Sequence, residues 1–380
     1  MSPIAVVGAS GFVGSALCER LFFEDVAFTP FVHGTNNAAR ISRLGVPIQR
    51  LDLLQREAVA DRLAGHDVVV NCSLGDNAVM TIGFENLLRT MERLRTSKFI
   101  HLSSASIYGV EPKPDCVTEE GHPDPQGNEY AEAKLRQDEA ALRLHRKGVV
   151  TYILCPGAIV GPFSLFTIGL AGMLRAGPMP LVNDGKNPSN LAHVDNLVEA
   201  ILAAIRGNRG AGERYFVNET RPISWRTVLE DHARVLGIHA EFVPVTTEQV
   251  RPFLPTGPNR MSLKQRAKVL ISPEFRRAAS QLPGVGWLNQ AASSTFNRLS
   301  YTTQNRIRER LQWPISLGQS GKALPLNNRF VTAQIRAHYQ PPNKLVTQLE
   351  WKPPLSYEAG METIAEWFRF AGMGMTENIS

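Results

Sequence analysis

The sequence predicts an α/β protein with a doubly wound, mostly parallel sheet, and three observations lead to this prediction. Short apolar runs alternate with helical patterns through the first half of the chain, which is the order of elements in βαβ folds. The first apolar run, residues 4–7, leads into a glycine turn, GASGFVG at residues 8–14, and then into a helical pattern. The run at residues 67–71 contains three consecutive valines, as expected of a strand buried on both faces. Right-handed connections then give a Rossmann-like sheet with its ligands at the carboxyl ends of the strands.

Length and composition limit the class of protein. The chain has 380 residues, enough for a large core and two subdomains. The four cysteines lie far apart and form no Cys-x-x-Cys motif, so we expect no metal site and no disulfide framework. The longest apolar stretch, residues 149–160, is interrupted by Thr151, Pro156 and Gly157 and is too short to span a bilayer. Because the N-terminus has no secretory signal pattern, a cytoplasmic location is expected.

The glycine turn is a candidate phosphate-binding loop. Glycines let the backbone approach a pyrophosphate, and the following helix N-terminus offers N–H donors and the positive end of its dipole. The alternative is a tight turn that lets the helix pack closely, but the position directly after an N-terminal strand favours nucleotide binding. The candidate cofactor-binding residues of the loop are Gly8, Ser10, Gly11, Phe12, Val13 and Gly14.

The residues after the second strand bear on the choice between NAD and NADP. A fold that prefers NAD usually ends this strand with an acid for the ribose hydroxyls. Here the strand at residues 26–32 ends at His33, no acid follows until Asp52, and Arg40 and Arg43 lie between them. The missing acid and the nearby bases lean slightly towards a 2′-phosphate and hence NADP. The alternative for Arg40 is a solvated helix residue.

Two further positions follow later strands. Asp52 either accepts a hydrogen bond from an adenine amino group or caps the helix that begins near Gln55, and Leu53 lies beside it. Ser73 follows the strand at residues 67–71 and is expected to pass close to the cofactor.

A tyrosine and a lysine, Tyr130 and Lys134, lie four residues apart in a helical pattern. Residues at this spacing share a helix face. A lysine ammonium beside a phenol favours the phenolate and lowers the tyrosine pKa, so the tyrosine can exchange a proton with a substrate oxygen near neutral pH. A surface helix pair is the alternative for so short a pattern. Ser104 follows the strand at residues 98–103 and belongs to the same edge of the sheet.

These motifs, taken in order, resemble those of the extended short-chain dehydrogenase/reductases, the group that contains the NAD-dependent epimerase/dehydratase proteins. The matching stretches are GASGFVG at 8–14, SSASIYG at 103–109, Tyr130 with Lys134, CPGAIVGP at 155–162, HVD at 193–195 and WKPPLSY at 351–357. They cover roughly residues 1–245 and 345–371. The set is specific for the superfamily and only weakly specific for the substrate.

The resemblance implies a role for each matching residue. Ser104 would hydrogen-bond the reacting oxygen, and Tyr130 would be the general acid/base. Lys134 would hold the nicotinamide ribose and lower the tyrosine pKa. Pro156 and Ile159 lie where the family packs and hydrogen-bonds the nicotinamide carboxamide.

The departures from the family pattern concern the substrate side. Sugar 4,6-dehydratases of the family carry an Asp-Glu pair after the serine or threonine, and here those positions hold Ala105 and Ser106. Elimination then lacks its acid and base, which argues against a dehydratase. Ser106, Ala158 and His193 are the candidate substrate contacts. For His193, a structural hydrogen bond between subdomains is an equal alternative.

The chain is expected to divide into two parts. The predicted NAD(P)-binding Rossmann domain is residues 1–165, completed by 190–218, and the smaller substrate domain is 166–189 and 219–380, with a largely helical insertion at about 246–345. Within the substrate domain, residues 180–190 are expected to form an exposed strand and turn.

The insertion is strongly basic. From Arg251 to Lys344 the chain holds fifteen Lys or Arg against two acids, about +13, which leaves about −7 for the rest of a chain of net charge +6. Helical patterns are predicted at residues 263–270, 273–282, 293–299 and 303–311. The open interpretations are a solvated cap, a rim that attracts an anionic substrate, and peripheral contact with an acidic membrane through residues 251–345. Nucleic acid is not an expected partner because no recognised module is present.

The sequence therefore predicts an NAD(P)-dependent oxidoreductase or epimerase that moves a hydride between nicotinamide and a carbinol carbon, with a nucleotide-sugar as the favoured substrate. One alternative is a reductase or dehydrogenase of a lipid-like or hydroxysteroid-like alcohol at a membrane surface. Another is a non-catalytic NAD(P)-binding regulatory protein. The family resemblance also implies a homodimer.

Overall fold

The computed structural model describes residues 3–34, 38–113, 117–254, 324 and 326–373. Numbered over these residues, the strands are β1 (Ile4–Val7), β2 (Phe28–Val32), β3 (Gln49–Arg50), β4 (Val68–Asn71), β5 (Lys98–Leu102), β6 (Val150–Pro156), β7 (Ala158–Val160), β8 (Met179–Val182), β9 (Leu191–His193), β10 (Glu213–Val217) and β11 (Phe242–Val245). Seven of them form one sheet in the order β10-β6-β5-β4-β1-β2-β3, and every pairing in it is parallel. The predicted doubly wound, Rossmann-like α/β fold is confirmed.

Helices connect these strands on both sides of the sheet. In chain order the α-helices are α1 (Phe12–Phe23), α2 (Ala39–Ser42), α3 (Arg56–Leu63), α4 (Phe84–Leu94), α5 (Glu129–Arg146), α6 (Leu165–Ala176), α7 (Val194–Arg206), α8 (Trp225–Leu236), α9 (Thr247–Val250), α10 (Arg329–Thr332), α11 (Asn343–Leu349) and α12 (Tyr357–Phe370). A π-helical turn, Val79–Gly83, precedes α4, and a 3-10 helix, Ala105–Tyr108, follows β5.

The alternation of side chains along β1 explains the two layers of helices. Ile4 and Val6 belong to a core shared with α1 and α7, whereas Ala5 and Val7 belong to a second core shared with α3, α4 and α5. Successive strand residues point to opposite faces, so a strand covered on both sides must be apolar throughout. All four residues of β1 are buried.

The C-terminal part has its own core. Helices α6, α8 and α12 pack together with the parallel pair β8 and β11, and β7 pairs with β9. The expectation of an exposed strand at residues 180–190 is wrong, because β8 is buried at every position. Its partner strand β11 and the buried core of α6 and α8 cover it, and only the turn that follows, around Asp184, is exposed.

The parallel order brings one end of several strands to a common edge. Val7, Asn71 and His101 stand in register across β1, β4 and β5, and Leu102 stands beside Leu154 of β6. The loops after these strands therefore leave the sheet side by side, where ligands of such sheets bind. The helical patterns predicted between residues 263 and 311 lie outside the described residues, and the proposed domain boundaries stay a prediction.

Candidate active site

The glycine loop is folded so tightly that side chains would not fit. Gly8 has φ +82°, and a Cβ there would lie 2.7 Å from the Ser73 Cα. A Cβ at Gly14 would lie 2.3 Å from the Gly8 carbonyl oxygen. At Gly11, which precedes α1, no side chain caps the helix, so the first-turn N–H groups can meet a phosphate. This cradle fits the pyrophosphate of a dinucleotide.

His33, which follows β2, and Asp52, which follows β3, lie close together. His33 lies with its Nε2 4.0 Å from an Asp52 carboxylate oxygen. Asp52 accepts a hydrogen bond from the Leu54 backbone N–H at 3.0 Å, so it holds the turn after β3, but it does not cap the following helix, which has no side-chain cap. Leu53 is buried, and its carbonyl accepts from the Asn86 side chain at 2.9 Å.

The two arginines that favour NADP share one acid. Arg40 donates from Nε to Glu19 at 2.9 Å, and Arg43 donates to the same carboxylate at 2.6 Å. Burial opposes ionisation of Glu19, but the two guanidiniums outweigh it and lower its pKa. The Arg40 guanidinium also stacks 4.7 Å from the centre of the Phe163 ring. Part of the positive charge expected to attract a 2′-phosphate is therefore already neutralised.

Ser73 lies against the glycine loop, and its predicted contact with the cofactor stays a prediction. Its hydroxyl donates to the Asn71 side-chain oxygen at 2.6 Å, and its backbone N and Cα would each lie 2.7 Å from a Cβ at Gly8. Asn71 in turn contacts the His101 ring at 3.3 Å. The two adjacent strand ends, β4 and β5, are thus tied together below the candidate cofactor site.

The structure brings Ser104 and Tyr130 together. Ser104 begins the 3-10 helix after β5, and its hydroxyl accepts from the Ser106 hydroxyl at 2.9 Å and from the Ser106 N–H at 3.2 Å. Tyr130 lies in the first turn of α5, which packs against that 3-10 helix. The residue as a whole is 40% exposed. Burial of the phenol raises the Tyr130 pKa, and the nearby Ser104 side chain opposes that rise.

Lys134 lies one turn further along α5 and is 3% exposed. Its ammonium donates to the Leu102 carbonyl at 2.7 Å. Burial lowers the Lys134 pKa to about 8, against the attraction of Asp138. The predicted lowering of the tyrosine pKa by Lys134 is wrong for this structure, because burial raises the pKa of Tyr130 and Lys134 is not among the groups that shift it. The ammonium is directed at the backbone of β5 instead.

Asp138 is a site residue that sequence reasoning missed. It is fully buried, it accepts from the Arg214 Nε at 2.9 Å, and its second oxygen lies 3.6 Å from the His101 Nε2. Burial raises the Asp138 pKa to about 6, against the effect of Arg214, and burial lowers the His101 pKa well below its usual value. Asp138 follows Lys134 by four residues, so helix spacing could have indicated it. The strand residues His101 and Arg214 carry no such local signal.

The corner after β6 is fixed by two asparagines. A Cβ at Gly157 would lie 1.8 Å from the Asn190 carbonyl oxygen, and the Gly157 N–H donates to the Asn218 side chain at 3.1 Å. Pro156 ends β6, and the Ala158 N–H donates to the Asn190 carbonyl at 3.1 Å.

Beyond this corner, Ile159 is held by Ser164, whose hydroxyl donates to the Ile159 carbonyl at 2.8 Å. The residues predicted to touch the nicotinamide therefore lie on a rigid turn at the carboxyl end of a sheet strand.

His193 is buried, and both of its ring nitrogens have partners within the protein. Its Nδ1 accepts from the Asp195 N–H at 3.3 Å and caps α7, and its Nε2 contacts the Thr363 hydroxyl of α12 at 3.1 Å. This geometry supports the structural alternative over substrate contact.

A second group missed in the sequence lies within the segment assigned to the insertion. The Arg336 guanidinium donates to the Ala105 carbonyl at 3.4 Å, to the Gly109 carbonyl and to the Gln340 side-chain oxygen at 2.7 Å. It therefore contacts the backbone on both sides of the 3-10 helix that Ser104 begins. Only the tertiary fold brings residues so distant in sequence together.

Comparison with known proteins places this geometry in context. The model of the NAD-dependent epimerase/dehydratase family matches residues 4–217. A ketoreductase of a farnesyl dihydroquinoline oxide from Stigmatella aurantiaca is 25% identical over 248 residues, which are 62% of this chain and 74% of that protein. A dTDP-glucose 4,6-dehydratase from Streptomyces niveus is 28% identical over 243 residues, 56% of this chain and 71% of that protein.

A solved structure, the UDP-glucuronic acid 4-epimerase of Bacillus cereus with NAD, has the same fold, with a TM-score of 0.64 at 17% identity. It covers 97% of this chain and 99% of its own. Within the described ranges, no His, Cys, Asp or Glu cluster is arranged to hold a metal ion. None of the helices described is long and apolar enough to cross a membrane.

Proposed function

Because the chain belongs to the NAD-dependent epimerase/dehydratase family, we propose that it interconverts a secondary alcohol and a ketone of a small-molecule substrate, using bound NAD or NADP. The observation that carries this proposal is the packing of the first turns of α5, which hold Tyr130, against the 3-10 helix that Ser104 begins, with Lys134 buried one helical turn behind Tyr130. Tyr130 supplies a proton and Ser104 a hydrogen bond to the same substrate oxygen.

The bound nicotinamide supplies or accepts the hydride. Tyr130 exchanges the proton of the substrate oxygen, and Ser104 orients that oxygen. Since the Ser106 hydroxyl donates to Ser104, the proton of Ser104 remains free for Tyr130 or the substrate. The raised pKa of Tyr130 keeps the phenol protonated at neutral pH, ready to donate when a ketone is reduced.

Residues around the glycine loop would hold the cofactor. The cradle of Gly8, Gly11 and Gly14 receives the pyrophosphate, and the corner at Pro156 and Ile159 lies at the nicotinamide end. We propose a slight preference for NADP over NAD, with Arg40 contacting the 2′-phosphate. Replacing Arg40 by Gln should lower kcat/KM for NADPH more than for NADH. An equal effect on both cofactors would remove Arg40 from phosphate recognition.

Two substrate classes have support. A nucleotide-sugar, turned over by an epimerase or ketoreductase, is suggested by the relative that acts on dTDP-glucose and the structure that takes UDP-glucuronic acid. A lipid-like alcohol or ketone is suggested by the relative named as the ketoreductase of a farnesylated substrate. Dehydration is disfavoured because Ala105 and Ser106 carry no carboxylate. The intact Ser104, Tyr130 and Lys134 speak against a non-catalytic role.

The substitution Tyr130→Phe tests the catalytic proposal. We expect kcat to fall by about 10²- to 10⁴-fold, the usual contribution of a general acid, while cofactor affinity stays unchanged. Tyr152→Phe is the matched control, because the Tyr152 hydroxyl bonds the Arg209 carbonyl near the opposite end of the sheet. Undiminished turnover of Tyr130→Phe would refute the mechanism. Native mass spectrometry of the purified protein identifies any retained cofactor, and tightly held NAD would favour an epimerase.

A homodimer, a cytoplasmic location and contact of residues 251–345 with acidic membranes are further proposals that rest on sequence. Most of that basic segment lies outside the described residues. Sedimentation with vesicles of acidic lipid at low and high salt tests the membrane contact. Absence of salt-sensitive binding would remove it.

A further inference from the structure

Arg336 brings a positive charge to the substrate side of the candidate active site. Its guanidinium contacts the carbonyl of Ala105, the residue directly after Ser104, and neighbouring Cα atoms are only about 3.8 Å apart. It also donates to the Gly109 carbonyl at the end of the same 3-10 helix. The charge therefore contacts the backbone of the same loop that carries Ser104.

This charge has no acidic partner in the described part of the chain. Two other sheltered cations there are paired: Arg214 with Asp138, and Lys344 with Glu213 and Glu120. Arg336 has only neutral oxygens as acceptors, and burial lowers its pKa to about 10. A part-buried cation without a counter-ion costs stability, and groups perturbed in this way concentrate at functional sites.

Gln340 adds an unused donor beside this guanidinium. The residue is fully buried, and its side-chain oxygen accepts from Arg336 at 2.7 Å. Arginine can only donate, so this bond fixes the amide orientation. The side-chain nitrogen, Nε2, then has no hydrogen-bond partner among the described residues. A buried amide donor without an acceptor is costly unless a ligand supplies one.

The backbone at Gln340 is rigidly placed between the two loops of the site. Its N–H donates to the Asn190 side chain at 2.9 Å, and its carbonyl accepts from Asn218 at 2.7 Å. Asn190 and Asn218 also hold the corner at Gly157. Arg336 and Gln340 thus span from the loop after β5 to the corner after β6, with their donors preorganised.

We propose that Arg336 and Gln340 form a carboxylate-binding site, so that the substrate carries a carboxylate only a few carbon atoms from its carbinol carbon. This inference rests on the function proposed above and names the substrate class. A planar guanidinium fork matches the two oxygens of a carboxylate, and the adjacent amide N–H adds a third donor. Sugar acids and hydroxy or oxo acids are substrates of this kind.

Two other interpretations are tested with it. A diphosphate would bring about two charges, whereas this cluster holds one cation among the described residues. A purely structural role would make Arg336 a clamp between the Ser104 loop and the C-terminal part, with no preference for charged ligands.

The test compares ligands that differ only in the carboxylate. Binding to the full chain loaded with NAD is measured by calorimetry for UDP-glucuronate against UDP-glucose, and for 3-hydroxydecanoate against its methyl ester. In at least one pair we expect the acid to bind about tenfold tighter or more, as for charge-assisted hydrogen bonds. Arg336→Gln should abolish this preference and leave the neutral ligand unaffected. Arg329→Gln is the control, since Arg329 is an exposed arginine of the same segment.

Arg336→Lys and Gln340→Glu keep the test decisive if Arg336→Gln folds poorly. Lysine retains the charge without the fork and should keep only part of the preference, whereas the carboxylate introduced by Gln340→Glu would occupy the guanidinium and remove the preference. The proposal is overturned if neither ligand pair shows a preference for the acid, or if the preference survives both Arg336→Gln and Gln340→Glu. It is also overturned if Arg336→Gln weakens the binding of both UDP-sugars equally, which would indicate phosphate binding. These are binding measurements, so they stand apart from the turnover of Tyr130→Phe that tests the proposed function.

Discussion

Two sheltered cations donate hydrogen bonds to the backbone on either side of Ser104 in sequence. Lys134 donates to the carbonyl of Leu102, two residues before Ser104, and Arg336 donates to the carbonyl of Ala105, one residue after it. Burial lowers the pKa of both. The difference lies in their partners, because Lys134 has Asp138 one helical turn away and Arg336 has no acid among the residues described.

This difference separates two uses of a buried charge. Asp138 compensates the Lys134 charge in part, because its attraction opposes the lowering of the Lys134 pKa by burial. Among the described residues no acid compensates Arg336, and we propose that it gains its counter-ion from a bound carboxylate. Stability should therefore depend strongly on Lys134, Asp138 and Arg214, and ligand preference on Arg336 and Gln340.

The largest expected effect on stability comes from breaking the ion pair between Asp138 and Arg214. Asp138→Asn leaves the Arg214 guanidinium without its acid, and removing one partner of a buried ion pair costs about 3–5 kcal/mol. Urea unfolding at neutral pH measures this loss. Glu92→Gln is the control, since Glu92 pairs with Lys147 at 2.8 Å on the surface and such pairs contribute about 0–1 kcal/mol.

A double variant sharpens this prediction. Asp138→Leu with Arg214→Met removes both charges, and we expect it to be more stable than Asp138→Leu alone because no unpaired cation remains. If Asp138→Asn destabilises no more than Glu92→Gln does, then Asp138 does not compensate the cations around it.

The next effect is the pH dependence of stability set by Lys134. Its pKa falls from 10.5 to about 8 on folding, so between these values the unfolded chain binds more protons than the native protein. Stability from this group therefore rises with pH across that window, by up to about 3 kcal/mol at 1.36 kcal/mol per pKa unit.

Comparing Lys134→Met with the wild-type protein isolates that contribution. Asp138, Cys72 and Cys155 act on the Lys134 charge and stay the same in both proteins. We expect the stability of the wild type relative to the variant to increase from pH 8 to pH 10.5 in urea unfolding. A constant difference would mean that the native lysine keeps an ordinary pKa.

Much of the fold could be predicted because its signals are local. Strands such as β1 and β4 are short apolar runs, and the glycine turn between β1 and α1 needs no distant information. Ser104, Tyr130 and Lys134 were predicted in the same way, through loop position and helix spacing, and their roles stay predictions. The sequence erred where burial depends on a distant partner, as at β8, which β11 covers.

The rest of the site depends on contacts between residues far apart in sequence. Arg214 meets Asp138 across 76 residues, and Arg336 meets Ala105 across 231 residues. The sequence assigned Arg336 to a basic insertion because the local count of charges is the same whether a cation is solvated or enclosed. The pKa of Tyr130 was misjudged for a related reason, since helix spacing does not reveal that Lys134 donates to Leu102.

The smallest expected effect on stability comes from supplying Arg336 with an acid inside the protein. Gln340→Glu places a carboxylate against the Arg336 guanidinium and gives this cation the internal acid that Lys134 already has in Asp138. Because the new pair forms where a hydrogen bond already exists, we expect stability to rise by roughly 1 kcal/mol, as for other substitutions that relieve a functional site. The preference for carboxylate ligands should disappear at the same time.

The matched control is the same chemical change six residues earlier. Gln334 is fully buried, but its side chain accepts from the Val182 N–H and donates to the Pro180 carbonyl, with no cation at either bond. Gln334→Glu buries an uncompensated charge against a carbonyl oxygen and should destabilise. Changes of opposite sign in the free energy of unfolding, measured with urea for the two Gln→Glu substitutions, would establish that Arg336 lacks a counter-ion in the native protein. If both destabilise equally, its charge is already satisfied within the protein, and the contrast with Lys134 fails.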